Sequence, residues 1–166
     1  MSLRRPASLW RAMEKEDIGS VIRLAEVIHP DYPEEDAVFM ERFRLCPEGC
    51  FVTGAPVRGY LLSHPWSGEP PFLGSVLGAL PSVPECWYLH DIALLPEARG
   101  EGHAIAALDI LEKLARQFGL DELRLVSTQQ AFGFWLKQGF VVRNEISPAL
   151  LSYGEGARLM ARKISD

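Results

Sequence analysis

Residues 87–118 have the sequence WYLHDIALLPEARGEGHAIAALDILEKLARQF, whose pattern changes twice. The apolar run 88–95 predicts a buried strand, which ends at Pro96 because proline lacks the N–H that a strand ladder needs. Apolar residues then recur at helical spacing from Ala104, which predicts an amphipathic helix over residues 104–118. Gly100 and Gly102 lie in the loop between the two. This order of strand, glycine turn and helix is the centre of the predicted fold.

The two glycines lie at the start of the predicted helix, where the first N–H groups have no intrahelical partner. Glycine leaves these donors uncovered, and the two positions just before the helix hold no Ser, Thr, Asp or Asn that could cap them. Free N–H groups at the positive end of a helix dipole bind anions, most often phosphate. The stretch therefore predicts a phosphate-bearing cofactor held by the backbone, with the preceding strand aiming its reactive end.

The composition limits the class of protein. The 166 residues are 48% hydrophobic with a net charge of −5, which predicts one globular domain, residues 1–166, and no nucleic-acid partner, since phosphate contacts need a basic face. Three cysteines without a C-x-x-C pair, and no histidine pair at ligand spacing, predict reduced thiols in a cytoplasmic protein and no metal site. We also expect no secretory signal and no membrane segment, because no suitable apolar run occurs.

The pattern along the chain predicts the element order β-α-α-β-β-β-α-β-α-β-β, without internal repeats. Predicted strands cover residues 8–13, 49–53, 57–63, 88–95, 122–128, 141–143 and 158–164. Predicted helices cover residues 18–28, 34–45, 104–118 and 129–138. A glycine-containing hairpin, residues 152–156, joins the last two strands.

A proline- and glycine-rich insertion, residues 64–86, interrupts this order between two strands. An irregular segment of this length is uncommon inside a compact domain and is often functional, as a lid or a binding rim. The alternative is an insertion without a function of its own, which packs through an apolar underside. The residues of that underside are Phe72, Leu73, Val76, Leu77 and Leu80.

The glycine loop does not fit two common nucleotide motifs. No Gly-Lys-Ser/Thr follows, which excludes a P-loop, and Ile105 stands where a dinucleotide fingerprint has its third glycine. The loop instead has the form Arg99-x-x-Gly102-x-Ala104, preceded by Ile92-Ala93-Leu94-x-Pro96. A second motif follows, Ala131-x-x-Phe134-Trp135-x-x-x-Gly139-Phe140. Together the motifs and the element order resemble the GNAT superfamily of acetyl-CoA-dependent N-acetyltransferases over nearly the whole chain.

The resemblance implies an α+β, three-layer fold with a mixed, mostly antiparallel sheet of six or seven strands and about four flanking helices. It also implies transfer of acetyl from acetyl-CoA, the co-substrate, directly to a primary amine. Two of the cofactor contacts that the resemblance implies have alternatives. Arg99 either contacts a phosphate or is an exposed loop residue, and Trp135 either packs beside the cofactor or is a core anchor. The cofactor-binding residues that the resemblance implies are Ile92, Ala93, Leu94, Arg99, Gly100, Glu101, Gly102, His103, Ala104, Ile105 and Trp135.

Three residues are candidates for acid–base chemistry. Asp91 is the first candidate base, because burial in an apolar strand would raise its pKa, with a structural carboxylate as the alternative. His90, expected on the opposite face of the strand, is the second. The family's acid is commonly a Tyr where this chain has Trp135, whose indole is a donor only. Tyr153 is the substitute acid, on the hypothesis that its hairpin swings it toward the thiol.

The acceptor amine, of a small molecule or a peptide, is expected to enter between residues 30–32 and the insertion. Tyr32 and Trp66 are the predicted substrate contacts. The carboxylates of residues 34–36 either line this entrance or form a solvated helix start. Two alternatives stay open: a non-catalytic acyl-CoA-binding sensor, and a homodimer in place of a monomer. A nucleotide-dependent oxidoreductase is disfavoured by the missing third glycine.

Overall fold

A computed structural model describes residues 9–164 of the chain, which form seven strands and five α-helices. The predicted order of strands and long helices is confirmed, and one short helix near the C-terminus is additional. The first strand is shorter than predicted, and Ser8 lies outside the described residues. The elements are β1 (Arg11–Ala12), α1 (Ile18–Ile28), α2 (Asp36–Leu45), β2 (Cys50–Thr53), β3 (Gly59–Trp66), β4 (Cys86–Leu94), α3 (His103–Gln117), β5 (Glu122–Ser127), α4 (Phe132–Lys137), β6 (Val141–Val142), α5 (Pro148–Leu151) and β7 (Arg158–Lys163).

The strands form one sheet in the order β1-β2-β3-β4-β5-β7-β6. Within the described part of the chain, β4 and β5 are the parallel pair, and the other neighbours run antiparallel. The predicted mixed, mostly antiparallel sheet is therefore confirmed.

Helices cover both faces of the sheet, which gives three layers. Strand β3 shows the two faces, because Leu61 packs in one apolar cluster and its neighbours Tyr60 and Leu62 pack in another. The cluster around Leu61 includes residues of α3 and α4, and the other includes residues of α1 and α2. This alternation is the two-residue period of a strand buried on both sides.

Helix α3 follows from its sequence. Its apolar stripe is buried against the sheet, and each large aliphatic side chain there contributes about 1.5–3 kcal/mol. The helix is preceded by Gly102 with a φ of +87° and followed by Gly119 with a φ of +72°, values that favour glycine. The buried residues of the stripe are Ala107, Leu108, Leu111, Leu114 and Ala115.

Strands β4 and β5 separate part-way along their length. They pair only from Trp87 to Leu89 on β4, although β4 continues to Leu94. On the other side of β4, Leu62 of β3 pairs with Asp91 and Ser63 pairs with Leu89, so His90 is a bulge in the ladder. The sheet therefore opens between β4 and β5 at the bulge.

The connection from β3 to β4, residues 67–85, contains no helix or strand. It is shorter than the predicted insertion because β3 continues through Pro65 to Trp66, and these residues pair with Trp87 and Cys86. We call this connection, residues 67–85, the insertion below.

Candidate active site

A cleft of about 670 Å³ begins where β4 and β5 separate. It is bounded by the end of β4, the start of α3 and helix α4. Most residues that the sequence predicts for the cofactor lie together in this cleft; Glu101 is not among the lining residues. The lining residues are Ile28, His29, Ile92, Ala93, Leu94, Arg99, Gly100, Gly102, His103, Ala104, Ile105, Gln130, Ala131, Phe134 and Trp135.

The start of α3 has the geometry of an anion site. Gly100 and Gly102 have φ angles of +83° and +87°, and no atom lies within 4 Å of where a Cβ would stand at either position. No side chain caps the helix at Gly102, and the first N–H that bonds back to Gly102 is that of Ala106. The preceding N–H groups therefore face open space at the positive end of the helix dipole.

The end of β4 supplies a second set of backbone groups. Residues 92–94 pair with β3 on one side, through Leu61, Tyr60 and Gly59, and have no paired strand on the side of the cleft. Because alternate peptide groups of a strand point to opposite edges, some N–H and C=O groups face the cleft. An extended ligand could add to this edge as a strand does.

Three side chains near the glycines have protein partners. The guanidinium of Arg99 donates to the carbonyl of Leu94 at 3.2 Å. The imidazole of His103 is buried behind the loop, with Nε2 3.1 Å from the hydroxyl of Thr53. Glu101 is exposed and lies 3.7 Å from Arg58. At His103 the backbone N–H, and not the buried ring, is therefore the group that could hold an anion.

Trp135 lies both in the core and at the cleft. Its ring belongs to the core cluster on the α3 side, packing edge-on against Phe134 and Phe140 with ring centroids 4.9 and 5.5 Å away. It also lines the cleft. The indole is a wall of the cleft and cannot serve as an acid.

Asp91 lines the two small cavities beside the cleft and belongs to a hydrogen-bonded group. Its two oxygens accept from the hydroxyl of Tyr60 at 2.5 Å and contact Nε2 of His29 at 3.1 Å. Burial raises the pKa of Asp91, but His29, His90 and the Tyr60 hydroxyl together outweigh burial, and the pKa lies below its ordinary value. The expectation of a raised pKa is therefore wrong, because it omitted partners from distant parts of the chain.

His90 does not point away from Asp91, as the alternation of a regular strand predicted. The bulge changes the alternation, and both side chains line the same two small cavities. Nε2 of His90 lies 3.0 Å from Oε1 of Glu34, and both side chains are almost fully buried. The second oxygen of Glu34 accepts from the N–H of Gly74 at 3.0 Å. Glu34 is therefore a buried partner, whereas Glu35 and Asp36 are solvated.

Tyr153 is buried and hydrogen-bonded to the insertion. Its hydroxyl donates to the carbonyl of Pro71 at 2.7 Å, and burial raises the pKa of Tyr153 to about 12. The sequence missed helix α5 just before it, because a four-residue helix has no periodicity, although Ser147 caps it and Pro148 begins it. The hypothesis that Tyr153 swings toward the thiol stays a prediction, and such a movement would break the bond to Pro71.

The two predicted substrate contacts differ in position. Tyr32 lines the cavity between the insertion and β4, with its ring against His29 at a centroid distance of 6.4 Å. Trp66 pairs with Cys86 at the far end of β4, and its indole donates to the carbonyl of Glu69. Trp66 is not among the residues that line the cleft or the cavities beside it.

Hydrogen bonds attach the insertion to three neighbouring segments of the chain. Buried Glu41 accepts from the N–H groups of Leu77 and Gly78 at 2.5 and 3.0 Å. Buried Arg42 donates to the carbonyl of Ser75 at 3.2 Å. With the bonds at Gly74, Leu73 and Pro71, these contacts join the insertion to α2, to the loop after α1 and to the segment after α5.

Sequence reasoning missed His29. It lies at the C-terminal end of α1 and lines the cleft, the two small cavities that Asp91 also lines, and a third cavity beside α1. Burial lowers the pKa of His29, but Asp91 and Glu34 raise it more, so that it lies above its ordinary value. The available signal was a histidine directly before the helix-breaking Pro30, in the loop already chosen for Tyr32.

Residues 9–164 lack two features, a cluster of metal-ligating side chains and a membrane-spanning helix. Those residues contain no group of three or more His, Cys, Asp or Glu side chains placed to hold a metal ion. None of their helices has the length and apolar character needed to span a membrane.

Comparison with known families decides the assignment. A sequence model of the acetyltransferase (GNAT) family matches residues 16–140, most of the chain. The chain belongs to the GNAT family. No curated protein matches it.

Solved structures of GNAT proteins share the fold at low identity. Ard1 from Thermoplasma volcanium superposes with a TM-score of 0.72 at 22% identity, covering 95% of this chain and 97% of that one. The GphF GNAT-like decarboxylase, solved with isobutyryl-CoA, gives 0.78 at 16% identity, with 94% and 99% covered. Arabidopsis thaliana Naa50, solved with the bisubstrate analogue CoA-Ac-MVNAL, gives 0.66 at 14% identity, with 92% and 96% covered. At these identities the likeness shows the fold.

Proposed function

We propose that this GNAT protein transfers the acetyl group of acetyl-CoA to a primary amine. The observation that carries the proposal is one route through the molecule, from the open N–H groups of α3, along the free edge of β4, to the buried polar group around Asp91. His29 lines both the cleft and the cavities beyond it, so the two parts adjoin. A cofactor with a phosphate end and a reactive end fits this order.

The residues of the cleft fit CoA. The N–H groups of residues 100–105 would hold the pyrophosphate, since they combine open space with a helix dipole. The edge of residues 92–94 would bind the pantetheine arm and offer N–H donors to a thioester carbonyl. Bound acetyl-CoA would supply an activated acyl group. The CoA-containing ligands of GphF and Naa50 support this choice of cofactor.

For the acceptor we propose a small-molecule amine. The cavity between Tyr32, Leu73, Tyr153 and β4 holds only about 90 Å³, and hydrogen bonds connect the three segments that enclose it. A small amine fits such a space without displacing these segments. The terminal amine of a peptide is the alternative acceptor, and the peptide-containing ligand of Naa50 is its support.

A non-catalytic acyl-CoA sensor is the second candidate. Two observations favour it: Trp135 replaces the tyrosine that commonly acts as the acid, and Tyr153 is bonded to the insertion. A sensor would bind CoA in the same cleft and would leave the thioester intact.

We also propose a cytoplasmic location. Cys46, Cys50 and Cys86 are free and buried in the structure, which fits a reducing compartment.

Release of free thiol from acetyl-CoA tests the proposal, measured with a panel of small primary amines and short peptides. Amine-dependent release, together with an acylated product in mass spectra, is the expected result, and small amines should give the higher kcat/KM. Tight CoA binding without release on any acceptor would overturn catalysis and favour the sensor. Faster turnover of peptides would overturn the acceptor assignment.

A further inference from the structure

His29 has a fixed position between the cleft and the acceptor cavity. It caps the C-terminal end of α1, where its N–H bonds to the carbonyl of Ala25 and its carbonyl accepts from the N–H of Tyr32 at 3.1 Å. Its side chain is 31% exposed and lines the cleft and the cavity around Asp91. The ring can therefore reach ligands from both sides.

Asp91 occupies one ring nitrogen of His29. The carboxylate contacts Nε2 at 3.1 Å, and its other oxygen is held by the hydroxyl of Tyr60 at 2.5 Å. A proton on Nε2 therefore donates to Asp91 and leaves the lone pair on Nδ1. This relation of carboxylate, imidazole and free lone pair is the usual design of a general base.

Charges around His29 come from four parts of the chain. Asp91 on β4 and Glu34 in the loop after α1 favour the protonated ring, and so does the C-terminal end of α1. Arg99 in the glycine loop and burial disfavour it. The pKa of His29 is raised as a result, which makes its neutral form a stronger base near neutral pH.

We infer that His29 is the catalytic base for acyl transfer, with Asp91 and Tyr60 as positioning residues. The inference rests on the proposed function. An acceptor that has lost its ammonium proton to solvent attacks the thioester carbon, and Nδ1 takes one N–H proton as the C–N bond forms. The C–S bond then breaks, and the imidazolium gives that proton to the departing sulfur. His29 thereby takes the acid role that Trp135 cannot fill.

The test compares wild-type protein with His29→Gln, using thiol release, calorimetry with CoA and the pH profile of kcat/KM. We expect kcat to fall about 100- to 1,000-fold while CoA affinity changes less than about threefold. A histidine ordinarily ionises at about pH 6.5. The wild-type profile should contain an ionisation above that pH, and the variant should lack it. Arg23→Gln, an exposed change on the same helix, is the control and should match wild type.

Asp91→Asn separates positioning from catalysis. It should keep the ionisation of His29 but shift it to lower pH, visible in the proton NMR signal of the ring as well as in the profile. An unchanged profile with most of the kcat retained in His29→Gln would overturn the assignment of the base. A wild-type protein that binds CoA but acylates no amine would defeat the proposed function and, with it, the reaction in which His29 acts.

Discussion

The two halves of the candidate site are built from different parts of the chain. The cofactor half consists of backbone groups at one turn, residues 92–105, with positive φ angles at Gly100 and Gly102. The acceptor half consists of side chains bonded across the sequence: His29 is 62 residues from Asp91, and Glu34 is 56 residues from His90. A local turn can be predicted from a short sequence, whereas a side-chain network depends on the whole topology.

The halves should also respond differently to mutation. Changes in the glycine turn should affect cofactor affinity and leave the rest of the protein intact. Changes in the acceptor half should affect stability or turnover, because its polar side chains are buried and form hydrogen bonds with one another.

Gly102→Glu should have the largest effect on the cofactor half. A side chain and a negative charge would stand where phosphate is expected, and losing two charge-assisted hydrogen bonds of about 2 kcal/mol each weakens CoA binding about 1,000-fold. Calorimetry with CoA measures the change. Gly119→Glu is the matched control, since Gly119 also has a positive φ and open space but lies at the other end of α3. Equal CoA affinities for both variants would contradict the assignment of the glycine turn as the phosphate site.

Glu41→Gln should have the largest effect on the stability of the acceptor half. It removes the charge that pairs with buried Arg42 at 3.3 Å, and breaking a buried pair costs about 3 kcal/mol. Urea unfolding measures this loss, and the KM for the amine should rise while CoA affinity stays constant. Glu48→Gln, an exposed change in the same region, should be neutral. An insertion without a functional role would leave the KM for the amine unchanged.

Acid should destabilise the sheet beneath the acceptor half through His64. Burial lowers the pKa of His64 to about 3, so the unfolded chain takes up a proton below about pH 6.5 that the folded chain refuses. The free energy of unfolding should fall by about 2 kcal/mol from pH 6 to 4.5. The raised pKa of His29 contributes stability that is complete below the pKa of His29 in the unfolded chain and is lost as pH rises through its pKa in the folded chain. The contribution of His29 therefore changes at higher pH than that of His64.

Unfolding of His64→Phe over the same pH range checks this assignment. Between pH 6 and 4.5 the free energy of unfolding of the variant should fall by about 2 kcal/mol less than that of the wild type. A slope equal to that of the wild type would assign the acid sensitivity to other groups.

Tyr153→Phe should have the smallest effect. The hydroxyl donates to Pro71, so its loss should cost about 1 kcal/mol of stability and leave kcat within about threefold of wild type. Steady-state thiol release and urea unfolding measure both quantities. A fall in kcat of more than about 30-fold would restore Tyr153 as the acid and weaken the assignment of that role to His29.

The sequence predicted much of the fold because its signals are local. The stripe of α3, the glycines at both ends of that helix and the strand before it need no knowledge of distant residues. Helix α5 was missed because it is too short to be periodic, and the limits of β3 were missed because Pro65 lies within a strand.

The acceptor half could not be predicted to the same extent, for a physical reason. The pKa of Asp91 depends on His29 and Tyr60, which reach it only in the folded sheet. The side on which His90 points depends on one bulge, which a regular alternation cannot anticipate. Glu34 likewise accepts from the N–H of Gly74 in the insertion, 40 residues away.

A crystal structure with acetyl-CoA bound tests the account most directly. It should place pyrophosphate oxygens about 3 Å from the N–H groups of residues 100–105 and the thioester beside residues 92–94, within reach of Nδ1 of His29. A pyrophosphate held away from Gly100 and Gly102, or a thioester remote from His29, would contradict it.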